Sequence, residues 1–286
     1  MSVYLPVATD ELITLPSQPI DEKLRVLRKT LKEMHSVVIG YSGGADSALL
    51  TRVAFDELGE NAVAVMAISE SYPRREQAEA RELAAAIGVP LVTVETDELS
   101  NEQYASNPVN RCYYCKLELF VHLSKVAKER GIRWLAYGAN HDDLGDYRPG
   151  QVAASEFGAR APLIEAGLTK PEIRHISREL GLPTWSKPAM ACLSSRFPYG
   201  TRITAELLAK VEQAEDYLRG ELGFRQVRVR HHDTIARIEI AADEMGRLLD
   251  PDLRDQVSAR IKALGYAFVA VELAGFRSGS LNVGVV

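Results

Sequence analysis

Residues 37–50 read Val37-Val38-Ile39-Gly40-Tyr41-Ser42-Gly43-Gly44-Ala45-Asp46-Ser47-Ala48-Leu49-Leu50. An apolar run rich in β-branched residues meets Ser-Gly-Gly, and an acid, a serine and a helix-forming segment follow. The order predicts a buried strand, a tight turn and a helix start. The first N–H groups of a helix have no intrahelical partner and point out along its axis, so this turn can hold an anion. Two glycines let the backbone approach the anion with no Cβ in the way. A plainer reading also stands, in which Asp46 and Ser47 only cap the helix.

The same alternation continues outward from this stretch. Leu24, Leu27, Leu31 and Met34 line one face of a helix that begins at Asp21. Strands are predicted at 36–41, 61–68, 91–95 and 134–137, and helices at 46–58, 73–87 and 116–130. Pro73 opens one of these helices and Gly88 closes it. Strand–helix alternation with short connections gives an α/β fold, a parallel sheet with helices on both faces. Ligands of such sheets sit beyond the carboxyl ends of the strands, so the loops after Tyr41, Ile68, Glu95 and Tyr137 face one site. Residues 138–168 read as loop, and a helix capped by Thr169, with Pro171 in its first turn, ends at Gly181. Residues 184–203 are irregular. Beyond Thr204 the pattern becomes helix (204–222), two strands (226–230 and 235–240), helix (243–264) and strand (266–273), which suits a small α+β unit. The expected division is a lead-in at 1–19, a first domain at 20–185, and a second at 186–286 with the Cys192 loop at its start.

The net charge of −5 argues against a protein that binds nucleic acid with its whole surface. No window approaches the roughly 18 apolar residues of a membrane span. The start of the chain lacks the basic and apolar segments of a secretory signal, and the expectation is a cytoplasmic protein. Three cysteines, Cys112, Cys115 and Cys192, make no disulfide framework.

Ser-Gly-Gly-x-Asp-Ser directly after the first strand of a parallel sheet resembles the pyrophosphate-binding loop of the PP-loop ATPases, which adenylate substrates and release pyrophosphate. No Gly-Lys-Ser/Thr follows, so it is not a Walker A loop. The resemblance makes 20–185 an ATP-binding domain. Ser42, Gly43, Gly44 and Ser47 would donate to phosphate oxygens and Asp46 would hold Mg²⁺. Gly138-Ala-Asn-His-Asp-Asp143 resembles a second signature of the group, in which Gly138 allows close approach and Asp143, Asp142 or Asp146 meets metal or nucleotide. A solvated acidic loop is the alternative. Ser69 and Ser71, after the second strand, lie where adenine would be read.

Cys112-Tyr-Tyr-Cys115-Lys116 is expected just before a helix, where the helix start and Lys116 would favour thiolates. A zinc site needs four ligands, and only Cys192 and the six histidines remain to complete one. Three cysteines also suit a [4Fe–4S] cluster with one iron left open. A redox pair beside one buried cysteine is the third option.

The cysteines occur in order with Ser42–Ser47, Gly-Asp-Tyr-Arg-Pro-Gly at 145–150, Cys192-Leu-Ser-Ser-Arg-Phe-Pro-Tyr-Gly200, Val-Arg-Val-Arg230, Ile-Ala-Arg-Ile-Glu239 and Gly275-Phe-Arg-Ser-Gly279. The set resembles LarE, the ATP-dependent sulfur transferase family that helps build the nickel-pincer nucleotide cofactor of lactate racemase. It covers about residue 20 to Ser280. The resemblance implies a pyridinium mononucleotide substrate with two carboxylates. Each is adenylated by ATP and then attacked by sulfur, giving thiocarboxylates. Single-cysteine members sacrifice their own cysteine, but its position here is Ala191. The chain therefore resembles the three-cysteine branch, in which Cys112, Cys115 and Cys192 hold a [4Fe–4S] cluster. Sacrifice of Cys192 is the alternative, and a tRNA thiolase of the same ATPase group is another. A nucleotide-binding regulator without turnover is a third. Arg228 and Arg230 alternate with valines on one strand face and, with Ser195 and Arg196, are the candidates for the substrate phosphate. Glu215 matches an acidic family position that could meet a metal. The resemblance also implies a homo-hexamer and leaves the sulfur donor open.

Overall fold

A computed structural model describes residues 19–145, 149–188 and 191–277. The lead-in up to residue 18, Asp146 and the rest of 146–148, and the 278–279 end of the closing motif lie outside the described residues.

Four strands, β1 (Val37–Gly40), β2 (Ala62–Ile68), β3 (Leu91–Glu95) and β4 (Trp134–Tyr137), form a parallel sheet in the order β3-β2-β1-β4. Alternate residues of a strand face opposite sides, and two cores follow. Val37 and Ile39 pack with α1 (Ile20–Met34), α2 (Ala45–Leu58) and α3 (Arg74–Ile87). Val38 turns the other way, onto Phe120 and Leu123. Burial of residues such as Leu31 and Phe120, both fully enclosed, contributes about 1.5–3 kcal/mol each.

The helix carrying Phe120 is α5 (Arg111–Arg130), which follows the short α4 (Glu102–Ala105). It starts five residues before the predicted position, so Cys112 and Cys115 lie inside its first turns rather than ahead of them. The 138–168 segment also differs from the expected loop. It holds a 3₁₀ turn (His141–Gly145), α6 (Pro149–Glu156) and α7 (Pro162–Glu165), and proline opens both helices. α8 (Lys170–Glu179) begins at the predicted cap, where the Thr169 N–H and hydroxyl both donate to Glu172.

The second sheet has the order β5-β6-β7, from β5 (Val227–His232), β6 (Ile235–Ile240) and β7 (Phe268–Val271), antiparallel and then parallel. Before it, α9 (Ala205–Asp216) widens into a π-helical turn at Tyr217–Glu221 instead of running on as α-helix. The helix predicted at 243–264 is split. A 3₁₀ stretch (Ala242–Leu249) stops at Asp250, which caps α10 (Pro251–Ala263) through Leu253 N–H. Val227 and Val229 face this sheet's own core with Ala236, Ile238 and Ile261, which leaves Arg228 and Arg230 on the opposite face.

A further small core of Leu193, Phe197, Ile203, Leu208 and Val211 joins the Cys192 loop to α9. Backbone bonds then stitch that loop to the first sheet. Leu193 N–H donates to Ser71 O (2.8 Å), Gly200 to Asn107 O (2.9 Å) and Ile203 to Ala105 O (2.8 Å). No helix among the described residues is long and apolar enough to cross a membrane.

Candidate active site

The turn after β1 has the geometry expected of an anion loop. Gly43 has φ +63°, and a Cβ there would stand 2.5 Å from Ala80 Cβ. Gly44 is the residue before α2, so the unpaired N–H groups of the first turn open at 43–47. Ser47 Oγ accepts from Ser42 N–H (3.2 Å) and lies 3.2 Å from Ser42 Oγ, which closes the loop on itself. The Gly138 loop lies against it. A Cβ on Gly138 would meet Ser47 N at 2.7 Å, so only glycine permits this approach.

The acids of that second loop are turned to backbone donors, one in the loop itself and one at the start of α8. Asp143 is buried and accepts from Asn140 N–H (3.0 Å), while Asp142 accepts from Lys170 N–H (2.8 Å). Asp46 has a partner that the motif did not reveal. Lys170 Nζ lies 2.7 Å from each of its carboxylate oxygens. Mg²⁺ is commonly held by one or two carboxylates together with substrate phosphates. Asp46, at the head of α2 beside the phosphate loop, fits that requirement as the single carboxylate.

Ser69 lines a cleft of about 730 Å³ between the ends of β2 and β3 and α9, with Tyr72, Thr96 and Glu212 on its walls. Ser71 is buried behind it, 3.0 Å from Ser69 through their hydroxyls. Ser71 and Tyr72 connect two loops. Ser71 O holds the Cys192 loop through Leu193, and Tyr72 OH donates to Ser42 O (2.9 Å) in the phosphate loop.

Cys112, Cys115 and Cys192 are all free thiols, the first two on α5 and the third in the loop before Leu193; Cys112 is exposed and the other two are half-buried. The expected low pKa does not appear. Burial pushes the Cys115 thiol well up, with Glu98 and the other two cysteines adding to it. The Cys112 thiol is also raised, by the surrounding protein and then by Cys192, against the pull of Arg111 and Lys116. At Cys115 enclosure by protein outweighs a helix start and one lysine, while Cys112 stays exposed in the first turn. Cys192 adds to the rise of both other thiols, so the three lie in one neighbourhood. Cys115 donates to buried Glu98 (3.7 Å). Buried Arg111 is raised by the thiols of Cys192 and Cys112 despite its own desolvation, so a cation faces the group. Among the described residues, no three His, Cys, Asp or Glu side chains are grouped to hold a metal ion. A four-iron cluster spans more room than one ion, and three thiols in one neighbourhood, with Arg111 and Lys116 near them, are residues that could hold such a group.

The phosphate candidates fall into two kinds. Every nitrogen of Arg196 is used inside the protein. Its Nε and Nη2 reach the two Glu215 oxygens (2.8 and 2.9 Å), and Nη1 reaches Ala191 O, Cys192 O and Ser195 Oγ. Arg230 donates to Ser195 O and to Glu239 (both 2.8 Å). Arg228 lines a cavity of about 210 Å³ together with Arg75, Lys187, Arg219 and Arg225 and with Glu76 and Glu79, which both pair with Lys187. Glu215 is enclosed by Arg196, Arg219 (2.9 Å) and Val229 N–H (2.9 Å). Burial alone would raise its carboxyl, but Arg196, followed by Arg219 and Arg228, outweighs burial and brings it down to about 2. Three cations and a backbone donor thus occupy the position that the sequence assigned to a possible metal ligand.

Sequence reasoning missed Lys170, Glu98, Tyr104 and Arg219. Tyr104, which is 2.6 Å from Ser194, and Glu98 carry no local signal, because their partners are 90 and 17 residues away. Lys170 read only as part of a helix start.

The NAD synthase family matches residues 20–138, which hold the first sheet and its phosphate loop. An uncharacterized protein of Synechocystis is 44% identical over 92% of the chain and 98% of its own length. A pyridinium-3,5-bisthiocarboxylic acid mononucleotide synthase of Lactiplantibacillus plantarum is 40% identical over 91% of the chain and 94% of its own length. The glutamine-hydrolyzing GMP synthase of Thermosipho africanus is 25% identical over 57% of the chain and 36% of its own length. That likeness is confined to part of each protein.

Proposed function

Because the chain belongs to the LarE family of ATP-dependent sulfurtransferases, we propose that it converts the two carboxylates of pyridinium-3,5-biscarboxylic acid mononucleotide to thiocarboxylates. The sulfur would come from a [4Fe–4S] cluster held by Cys112, Cys115 and Cys192. The observation that carries this reading is the pair Ser71 and Tyr72, adjacent residues that clip the sulfur loop and the phosphate loop together. An adenylated carboxylate formed at one loop would then lie within reach of sulfur at the other.

The first domain, 20–185, supplies the electrophile. Ser42, Gly43, Gly44 and Ser47 hold the phosphates, Ser69 and the adjoining backbone hold the adenine, and Gly138 keeps the second loop close. Asp143 shapes that loop. Asp46 would hold Mg²⁺, which neutralises phosphate charge. A substrate carboxylate oxygen attacks the α-phosphorus, and pyrophosphate leaves with the bonding electron pair. A carboxylate is a poor electrophile, and the acyl-adenylate gives it a good leaving group. When bound, the cluster supplies a nucleophilic sulfide. Arg111 and Lys116 balance the charge of the thiolates that hold it. Arg228 faces the substrate phosphate from 186–286, while Arg196, Arg230 and Ser195 fix the Cys192 loop behind it. Glu215 serves as the anion that keeps Arg196 and Arg219 in place.

The test is anaerobic purification with iron and acid-labile sulfide analysis, alongside pyrophosphate release on adding ATP and the dicarboxylate substrate. The expected result is about four irons per chain, lost in Cys112→Ala, Cys115→Ala and Cys192→Ala, with pyrophosphate release retained in all three. An iron-free wild type whose turnover converts Cys192 to dehydroalanine would replace the cluster with sacrifice of that cysteine.

A further inference from the structure

Glu98 is a buried acid that no step described above uses. It opens the 3₁₀ turn (Glu98–Ser100) that follows β3, and only 5% of its surface is exposed. A carboxyl taken out of water calls for a cation or a full set of donors. Among the described residues no lysine or arginine pairs with it. Burial raises its carboxyl, the Ser69 hydroxyl opposes, and Glu118 adds to the rise. Its two oxygens are served unequally. Oε1 accepts from the Thr96 hydroxyl (3.2 Å) and from Cys115 Sγ (3.7 Å). Oε2 is enclosed and has no hydrogen-bond partner among the described residues.

These contacts set Glu98 between two sites. Ser69 and Thr96 line the cleft of about 730 Å³ in which the adenine is placed, and Cys115 belongs to the cysteine group. The Ser69 hydroxyl has one proton to give. It lies 3.0 Å from Ser71 Oγ and also acts on the Glu98 carboxyl. One hydroxyl on the cleft wall thus has two acceptors near it, and Glu98 Oε2 is the acceptor left without a donor.

We propose that Glu98 is a positioning residue that holds the Cys115 thiol and couples it to the nucleotide cleft. The inference rests on the placement of adenine beside Ser69 proposed above. The adenine amine has protons to give, and a hydroxyl that accepts one turns its own proton elsewhere. Ser69 then donates to Glu98 Oε2. With both oxygens occupied, the carboxyl no longer swings, and Oε1 stays on Cys115. Filling the cleft therefore fixes the thiol. The two settings of the Ser69 hydroxyl are the two-state element through which the coupling runs.

The test uses the full chain, prepared free of iron, as wild type, Glu98→Met and Glu98→Gln. Alkylation of each cysteine by iodoacetamide is followed by peptide mass spectrometry. It is run with and without Mg²⁺ and a non-hydrolysable ATP analogue, whose binding is measured by calorimetry. In wild type the analogue should slow alkylation of Cys115 about fivefold and leave Cys112 almost unchanged. Without the analogue, Glu98→Met should raise the Cys115 rate about fivefold, and its response to the analogue should vanish. Its melting temperature should not fall, because an under-satisfied buried carboxyl gives way to an apolar chain of similar size. Glu98→Gln keeps an oxygen acceptor and drops the charge, so it should stay near wild type and keep the response. A Glu98→Met rate equal to wild type would overturn the proposal. So would a Glu98→Gln rate equal to that of Glu98→Met, which would leave charge acting alone. Slowing that persists in Glu98→Met would mark shielding by the ligand and overturn the coupling, as would a bound analogue with no effect on Cys115. If the analogue does not bind, the nucleotide reading fails, and the rates without it still decide whether Glu98 positions Cys115.

Discussion

The phosphate loop and the arginine–glutamate cluster beneath the Cys192 loop both organise charge, by opposite means. At residues 42–47 the positive potential is mostly backbone, and the few side-chain charges, Asp46 and Lys170, are partly exposed. Under the Cys192 loop the charge is carried by side chains, and Arg196, Glu215, Arg230 and Glu239 are all buried. Backbone dipoles cost little to leave open, so the first region can wait for its ligand. Buried ions must be paired at all times, so the second region is locked unless one member faces an opening. Arg228 and Arg219, which line a cavity, have that position.

Breaking the locked pair should give the largest effect. Removing one partner of a buried ion pair leaves the other charged and uncompensated, at about 3–5 kcal/mol. Glu215→Gln strands Arg196 and Arg219 and should lower the thermal midpoint by about 10 °C. The pH dependence has a definite sign. The Glu215 carboxyl is held at about 2 in the folded chain, below its ordinary value near 4.5. Its stabilisation is therefore complete above about pH 4.5 and drains away as the pH falls toward 2. Denaturant melts between pH 7 and 3 should show a shallower loss in Glu215→Gln than in wild type. Equal slopes would mean that other carboxylates control the acid limb.

The phosphate loop should respond in rate more than in stability. Gly138→Ala places a methyl 2.7 Å from Ser47 N and 2.9 Å from Ser47 Cα, both backbone atoms. One loop must shift by a few tenths of an ångström or more. Small displacements of a positioned group can cost about 100-fold in rate, so pyrophosphate release should drop by about that factor. Iron content should stay at the wild-type level, because the cysteines lie on α5 and the Cys192 loop. Parallel loss of iron would mean that the two regions are one cooperative unit.

The same contrast explains what could be read without coordinates. The strand, the turn and the two close glycines of the phosphate loop are encoded within a few residues, and the alternation of Val227, Arg228, Val229 and Arg230 sorts core from site. Lys170 and Asp46 are 124 residues apart, and Arg196 and Glu215 join two different elements. No local pattern predicts such pairs. The thiol pKa shifts were misread for a related reason. A helix start and a neighbouring lysine are visible in the sequence, whereas the protein that encloses Cys115 is not. The break at Pro251 was legible, since Asp250 before proline is a helix start inside the predicted helix. The 3.6-residue periodicity across it obscured the signal.

The smallest effect is the most direct test of whether Arg228 belongs with the locked cluster or with the open loop. Burial lowers its guanidinium to about 10, with Arg196 adding, Glu215 opposing, and Arg219 and Arg230 adding further. A cation lowered in this way costs stability at every pH below about 10, and the cost is relieved only as the pH rises through that value. At neutral pH the folded chain therefore carries a penalty that an anion in the cavity would remove. Arg228→Met deletes the penalty, but it also deletes the donation to Val227 O (2.8 Å) and the contact with the Phe276 ring (5.2 Å). The balance should be a gain of about 1 kcal/mol, or a rise of about 2–4 °C in the melting temperature. Inorganic phosphate should raise the wild-type midpoint and leave Arg228→Met unmoved. A variant that melts lower than wild type would place Arg228 with Arg196 as a structural cation and would move the substrate phosphate elsewhere.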